Sequence, residues 1–300
     1  MKKRIMSIVL TLVFLVGLLS GCGSNTTSGN TNNNTSSNTS SNTQETSKPK
    51  YADGIYFAQA DDFDKESGWK DVVTLEVKDG KIVSADWNAA NKNAGPDKKT
   101  LSKEGKYKMK ELGKAQAEWH EQAAKVEAYL IEKQDPKAIT YKDAEGHTDA
   151  ISGVSIHVMN FFKLAEKALA NGPVQKGPYK DGAYHAEQAN FDAQGWKETV
   201  DITVINGYIV AANWNAVNKA GGDDKKTQSV KGTYGMKEKG KAQAEWHEQA
   251  AKVEAYLIEK QDPKAITYKD AEGHTDAISG VSIHVMNFFK LAEQALSQAK

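Results

Sequence analysis

The residues with the clearest chemical potential stand in a short string that occurs twice. Asp-Ala-Ile-Ser-Gly-Val-Ser runs from Asp149 to Ser155 and again from Asp276 to Ser282. Each copy places a carboxylate, two hydroxyls and a glycine just before an amphipathic pattern typical of a helix. Backbone N–H groups and the dipole at a helix N-terminus stabilise an anion, so a serine hydroxyl there could carry an esterified phosphate. We therefore expect a phosphate-bearing group in each copy.

The same residues also fit a purely structural role at the start of a helix. Asp and Ser are preferred N-cap residues, and Gly153 permits a turn that other residues resist. Capping alone requires only one hydroxyl or carboxylate, whereas each string supplies three such groups close together. This excess favours the attachment or binding of a phosphate-bearing group.

The string belongs to a much longer repeat. Residues 113–166 recur without a change as residues 240–293, an unbroken run of 54 identities. Such a run indicates a recent duplication, so the chain carries two copies of one functional unit. The copies are predicted to span residues 51–171 and 179–300, joined by a Gly- and Pro-containing linker at 172–178. Each copy is long enough to bury a core of its own.

The front half of each copy has the pattern of antiparallel strands. Alternating apolar residues form two runs, separated by Asp79-Gly80 in the first copy and by Asn206-Gly207 in the second. Asp-Gly and Asn-Gly between such runs are strong signals of a β-hairpin. We therefore predict an antiparallel sheet at the start of each copy.

The back half of each copy changes to a helical period. In the first copy, Pro136 is expected to end one helix, and an extended segment from Ala138 to Tyr141 then leads to the string. The two predicted apolar helix faces are Trp119, Ala123, Val126 and Leu130, and Val158, Phe161, Phe162, Ala165 and Leu169. We predict an α+β fold in which two tandem small domains each pack helices on one side of a twisted antiparallel sheet.

The N-terminal residues are typical of a bacterial lipoprotein. Residues 1–21 combine a basic start with a short apolar stretch, and Leu19-Ser20-Gly21-Cys22 matches the lipobox pattern. Cys22 is the only cysteine and is predicted to carry the lipid, which would anchor the protein at the extracellular face of the cell membrane. Residues 22–50 form a Ser/Asn/Thr-rich segment that we expect to be a disordered tether with a span of roughly 30 Å. An ordinary leader that ends near a cysteine is the alternative.

Composition excludes several functions. Lys+Arg and Asp+Glu each number 39, so no basic excess exists to hold nucleic acid. Once Cys22 is lipidated, no thiol remains for a disulfide, an iron–sulfur cluster or covalent haem. The spacing of His120, His147 and His157 matches no common ligand set, so no metal site is predicted.

The repeated string resembles the signature of the FMN-binding domain family, Asp-x-x-Ser/Thr-Gly-Ala-Ser/Thr. In that family a flavin transferase joins the last hydroxyl to the phosphate of FMN through a phosphoester. The resemblance implies two covalent FMN groups, one on Ser155 and one on Ser282. The other motif residues that it implies are Asp149, Ser152, Gly153, Asp276, Ser279 and Gly280. Val154 and Val281 replace the usual Ala.

The whole arrangement is similar to the flavinylated lipoproteins of Gram-positive extracellular electron transfer. That similarity implies that electrons pass from a membrane NADH dehydrogenase and quinone pool, through the flavins, to ferric iron or other extracellular acceptors. The protein would then be mainly an electron carrier, with ferric-reductase-like activity supplied by its flavins. Two alternatives remain open. One is a surface lipoprotein that binds a metal or haem without flavin, and the other is a repeated adhesive module.

Overall fold

The computed structural model describes residues 50–300. The predicted leader, the predicted lipidation site Cys22 and nearly all of the predicted tether lie outside the described residues. Within residues 50–300, no helix is long and apolar enough to cross a membrane.

The first repeat begins with a three-stranded antiparallel sheet in the order β1-β2-β3. Its strands are β1 (Gly54–Gln59), β2 (Trp69–Lys78) and β3 (Lys81–Asn91). The β2–β3 turn is Asp79-Gly80, and both residues have left-handed backbone angles (φ 51° and 72°). A two-residue turn of this kind matches the twist of the strands that it joins, as the sequence predicted.

The second repeat builds the same sheet in the order β4-β5-β6. Its strands are β4 (Gly182–Glu187), β5 (Trp196–Ile205) and β6 (Tyr208–Asn218). Asn206-Gly207 forms the turn between β5 and β6, again with left-handed angles (φ 53° and 75°). The predicted α+β class, with two antiparallel sheets and packed helices, is confirmed.

Four helices follow each sheet. They are α1 (Lys98–Lys103), α2 (Met109–Gly113), α3 (Trp119–Lys133) and α4 (Met159–Asn171), then α5 (Lys225–Val230), α6 (Met236–Gly240), α7 (Trp246–Lys260) and α8 (Met286–Leu296). The two long helices of each repeat were predicted from their apolar period. The short ones were not, because a helix of five or six residues shows no period.

The predicted extended segment from Ala138 to Tyr141 is wrong at Ala138, which ends a 3-10 turn, whereas Ile139 has the expected extended angles without forming a strand. Helix α3 ends at Lys133, and a 3-10 turn follows at Pro136–Ala138 before an irregular stretch. Asp135 favours this turn because its side chain accepts the backbone N–H of Lys137 at 3.0 Å. A second 3-10 turn, Ser297–Ala299, ends the second repeat.

The core of each repeat lies between one face of the sheet and its two long helices. In the first repeat, Tyr56 and Trp87 from the sheet meet Trp119 and Phe161 from the helices, and each is at most 2% exposed. Burying a large apolar side chain contributes about 1.5–3 kcal/mol. The second repeat has an equivalent core.

The opposite faces of the two sheets pack against each other, which the sequence analysis did not predict. A shared cluster contains Val72 and Ala90 from the first repeat and Ile205, Val210 and Ala211 from the second. The packing is asymmetric, because Val210 is fully buried whereas its counterpart in the first repeat, Val83, is 47% exposed.

The predicted linker is hydrogen-bonded to both sheets. Val174 N–H donates to the carbonyl of Ile55 in β1 at 2.7 Å. Gly177 N–H donates to the carbonyl of Asn206, in the β5–β6 turn, at 3.1 Å. These bonds hold the connecting segment against both repeats.

Candidate functional site

The repeated string lies in a loop ahead of the last helix, not at its N-terminus. Helix α4 begins at Met159, and its N-cap residue, Val158, makes no side-chain capping bond. Helix α8 begins in the same way at Met286, after Val285. The string therefore does not supply the N-cap of this helix, which was its alternative structural role. The N–H of Val158 is instead bonded to the carbonyl of Gly146 at 2.8 Å, within the loop.

The loop is held in shape from inside. Thr148 is 5% exposed, and its hydroxyl donates to the carbonyl of Thr140 at 2.7 Å. Gly153 has a left-handed φ of +72°, and a Cβ added there would collide with Lys125 Nζ. The backbone angle therefore favours glycine at this position, whereas the Lys125 ammonium is the end of a flexible side chain that can move away.

Ser155 is presented at the surface by a buried glutamine. Its backbone N–H and its hydroxyl lie 2.7 and 3.3 Å from Gln122 Oε1, whereas the rest of the residue is exposed. Gln122 belongs to α3, is 1% exposed, and donates its Nε2 to the carbonyl of Ala117 at 3.0 Å. Gln249 holds Ser282 at the same distances.

The sequence contains a signal for this glutamine that the motif analysis missed. Gln122 follows Trp119 by three residues, which places a polar side chain on the apolar face of α3. A buried polar group must be hydrogen-bonded, so such a residue points to a specific partner.

Each of the two serines borders a pocket. The pocket beside Ser155 has a volume of about 970 Å³, and the pocket beside Ser282 about 640 Å³. Both volumes fall within the range typical of ligand sites, about 300–1,000 Å³. Both walls are rich in aromatic side chains: Trp69, Trp87, Tyr107 and Trp119 in the first repeat, and Trp196, Trp214, Tyr234 and Trp246 in the second.

A lysine ammonium group lies among these aromatic rings. Lys98 Nζ is 4.9, 5.1 and 5.5 Å from the ring centroids of Trp119, Tyr107 and Trp69. Burial lowers the pKa of Lys98, and the negative charges of Asp71 and Asp64 offset part of this effect. Within residues 50–300, no carboxylate forms an ion pair with Lys98, so the aromatic faces are its close partners.

The second repeat has the same arrangement around Lys225. Its Nζ lies 4.9, 5.4 and 5.8 Å from the centroids of Trp246, Tyr234 and Trp196. Burial likewise lowers the pKa of Lys225. The sequence gives only an indirect indication that this lysine lies in the pocket, because it stands in a helix too short to show an apolar period.

The two pockets differ in their acidic side chains, and one of these differences falls at an equivalent position. Asp71 accepts hydrogen bonds from Trp87 Nε1 at 3.1 Å and from Asn160 Nδ2 at 3.0 Å. Glu198 takes its place in the second repeat, where it accepts Trp214 Nε1 at 3.3 Å. Burial raises the pKa of Glu198. The charge environment is therefore not identical at the two sites.

The other predicted motif residues lie on the exposed loop and do not line the pockets. Asp149 lies 3.4 Å from Lys142 Nζ, and its side chain is 79% exposed. Asp276 makes the same contact with Lys269 and is 78% exposed. Ser152, Gly153, Ser279 and Gly280 are also exposed.

Comparisons relate the chain to two clostridial proteins of known structure. A Clostridium thermocellum protein, solved by solution NMR, is 70% identical over 40% of this chain and 90% of its own, with a TM-score of 0.33. A Clostridium perfringens protein, solved by crystallography, is 30% identical over 40% of this chain and 88% of its own, with a TM-score of 0.31. This chain belongs to their family. Each match covers about the share of the chain that one repeat occupies, so the family relation concerns a single repeat. No family model and no curated protein matches the chain.

Proposed function

We propose that this protein is a membrane-anchored, extracellular electron-transfer flavoprotein that carries two covalent FMN groups, on Ser155 and Ser282. One observation carries the proposal. Each of these hydroxyls is exposed beside an aromatic-lined pocket that also contains a lysine ammonium group. An attachment point, a surface for a flat ring and a positive charge are thus combined twice in one chain.

The side chains of the pocket fit the chemistry of a flavin. Trp69 and Tyr107 offer aromatic surface for a planar ring, and Ser155 offers the oxygen for the phosphoester. FMN, when bound, supplies one- and two-electron transfer. Gln122 orients the hydroxyl, and Lys98 provides a fixed positive charge that favours a ring that gains negative charge on reduction.

The exposure of the motif residues supports modification by another enzyme. A flavin transferase must reach the serine together with the residues that it recognises. Asp149 and Ser152 are exposed and make no bond to the core, so their side chains are accessible to such a partner. The same holds for Asp276 and Ser279 in the second repeat.

The remaining parts of the proposal follow from the lipoprotein leader and the tether. A lipid on Cys22 would hold the protein at the outer face of the cell membrane, near a membrane NADH dehydrogenase and its quinone pool. The flavins would then pass electrons to ferric iron or other extracellular acceptors. In this role the protein is a carrier, and any ferric-reductase-like activity comes from the flavins.

The proposal is tested by the intact mass and tryptic peptide masses of the protein purified from its own host. We expect two FMN phosphoesters, of which Ser155→Ala removes one and Ser282→Ala the other. Ser155→Thr is the matched control and should keep both, because it retains a hydroxyl. A protein without flavin, made in the presence of the transferase, would overturn the proposal and favour a metal- or haem-binding lipoprotein.

A further inference from the structure

Two histidines and a glutamate meet on the surface of the same loop. The potential ligand atoms of Glu145, His147 and His157 all lie within 4.8 Å of one another. His157 Nε2 is 3.6 Å from Glu145 Oε2, and the two imidazole rings are 4.2 Å apart between centroids. The second repeat forms the same group from Glu272, His274 and His284. We propose that each of these triads binds a divalent first-row transition-metal ion of the Zn²⁺ type.

The first argument is the orientation of His147. Its Nδ1 is hydrogen-bonded to Asp143 Oδ2 at 2.7 Å and lies 4.0 Å from Glu145 Oε2, so Nε2 is the ring nitrogen that would bind the metal. A carboxylate that holds the far nitrogen of a ligating histidine is the usual outer partner in zinc sites, because it fixes the tautomer and makes the ring more basic. His274 and Asp270 repeat this bond at 2.7 Å.

Asp143 is itself held firmly. Its Oδ1 accepts the backbone N–H groups of Glu145, Gly146 and His147 at 3.0, 2.9 and 3.1 Å. Asp143 is therefore already in position to hold His147 before any ion binds.

The two ends of the loop are fixed against each other, which keeps both histidines together. Gly146 has a φ of +93°, and a Cβ added there would lie 2.5 Å from Met159 Cβ. Only glycine allows this approach. Because the Gly146 carbonyl also accepts the N–H of Val158 at 2.8 Å, His147 and His157 cannot separate without breaking the loop.

The donor set selects the class of ion. In a tetrahedral zinc site with Zn–N bonds of about 2.0–2.1 Å, neighbouring ligand atoms lie about 3.4 Å apart. The 3.6 Å between His157 Nε2 and Glu145 Oε2 is close to that value, so small rotations of exposed side chains complete the geometry. Two imidazoles and one carboxylate suit zinc and its neighbours, whereas magnesium and calcium prefer oxygen ligands. Three protein ligands leave a fourth position for water.

The chain supplies a matched control in His185. Its Nδ1 is 2.7 Å from Asp201, and its Nε2 is 4.0 Å from Glu187. His185 therefore has carboxylate neighbours at similar distances, but it is not part of either triad. Any weak metal binding by exposed His–carboxylate pairs should also involve His185.

The test is a titration of the full mature protein with Zn²⁺, followed by calorimetry, after treatment with a chelator. The protein is produced without a flavin transferase, so the result does not depend on the proposed flavin. We expect the parent protein to bind two Zn²⁺ ions per chain. The His157→Ala variant should bind one, and the His157→Ala/His284→Ala variant should bind none. Co²⁺ should give the absorption bands of a low-coordinate site in the parent protein, bands of about half that intensity in His157→Ala, and none in His157→Ala/His284→Ala. His185→Ala should keep both sites.

The Asp143→Asn variant tests whether Asp143 supports metal binding by orienting the His147 ring, as distinct from the attraction of its negative charge for the ion. The amide keeps an oxygen for the backbone N–H groups but replaces the acceptor of His147 Nδ1. We expect about 10–100-fold weaker Zn²⁺ binding at that site. Retention of both sites in His157→Ala/His284→Ala, or equal loss in His185→Ala, would overturn the proposal. So would displacement of Zn²⁺ by millimolar Mg²⁺.

Discussion

Gln122 Oε1 accepts hydrogen bonds from both the backbone N–H and the hydroxyl of Ser155, at 2.7 and 3.3 Å. One buried side chain thus sets the position and the direction of an exposed hydroxyl on another element. The bond joins α3 to the motif loop across 33 residues of sequence. It makes the proposed attachment site depend on a residue outside the motif.

We predict that Gln122→Leu lowers flavin loading at Ser155 while Ser282 remains fully loaded. The substitution leaves the Ser155 N–H and the Ala117 carbonyl without their partner, which should cost about 1–3 kcal/mol of stability. Peptide masses from the same chain give the loading ratio of the two sites. Gln122→Glu keeps an acceptor oxygen and should retain loading. Equal loading of both sites in Gln122→Leu would show that Gln122 does not position Ser155 for flavin attachment.

Replacement of Lys98 should make the flavin that we propose on Ser155 harder to reduce. Reduction adds negative charge to the ring, and Lys98→Met removes a positive charge from the aromatic pocket. A lost interaction of about 1.4 kcal/mol corresponds to about 30 mV for a two-electron couple, so the midpoint potential should fall by tens of millivolts. Spectroelectrochemistry measures this midpoint potential. The Ser282→Ala substitution is included in both proteins so that only the flavin on Ser155 contributes.

The control for Lys98 is Lys103→Met, which removes an exposed charge from the same helix. Its charge is screened by solvent, so it should leave the potential nearly unchanged. Equal shifts for the two variants would mean that overall charge, and not the pocket, sets the potential.

Lys70 should make the stability of the protein rise with pH in the alkaline range. Burial lowers the pKa of Lys70 from 10.5 to about 8, opposed by the charge of Asp62. Between these values the unfolded chain holds a proton that the folded protein has released, so the free energy of unfolding increases with pH. At about 1.36 kcal/mol per unit, the gain is at most about 3 kcal/mol.

Lys70→Met should reduce that increase, to which the buried Lys98 and Lys225 also contribute, and should stabilise the protein at pH 7, as measured by urea unfolding across pH 7–11. Lys197 is the matched residue in the second repeat, where its ammonium pairs with Glu187 at 2.8 Å. Lys197→Met should cost only about 0–1 kcal/mol. An unchanged pH profile in Lys70→Met would show that the folded Lys70 keeps its proton.

Because the packing of the sheets is asymmetric, the same substitution at two equivalent valines should change the stability of the protein by very different amounts. Val210→Asp would bury a charge in the shared cluster and should cost about 3 kcal/mol or more. Val83→Asp, at the equivalent exposed position, should change stability by about 0.5 kcal/mol or less. Denaturant unfolding measures both. Small-angle scattering should show separated repeats for Val210→Asp only, and equal effects of the two variants would contradict the packing.

The sequence predicted the elements that have a strong local signal. Asp79-Gly80 marked the hairpin because a two-residue turn needs left-handed angles that these residues tolerate. Trp119 and Phe161 marked the two long helices through their apolar spacing. The packing of one sheet on the other also had a signal, since β6 contains the unbroken apolar run Ile209 to Ala212. A run of that kind is typical of a strand that is buried on both faces.

The site itself was less predictable, because it depends on contacts between distant segments. The motif was placed at a helix start, yet the Val158 N–H bonds to Gly146 and the helix begins beyond the motif. Lys98 reaches the pocket from a short helix, and Gln122 reaches Ser155 from α3. His147 and His157 stand ten positions apart, which is no familiar ligand spacing, and only the folded loop brings them together.

The hydrogen-bonded linker and the shared apolar cluster between the sheets mean that the two repeats move as one particle. The distance between Ser155 and Ser282 is then set by the fold, and the same would hold for the two proposed flavins. A partner of the proposed flavins would therefore meet one serine or the other through rotation of the whole particle.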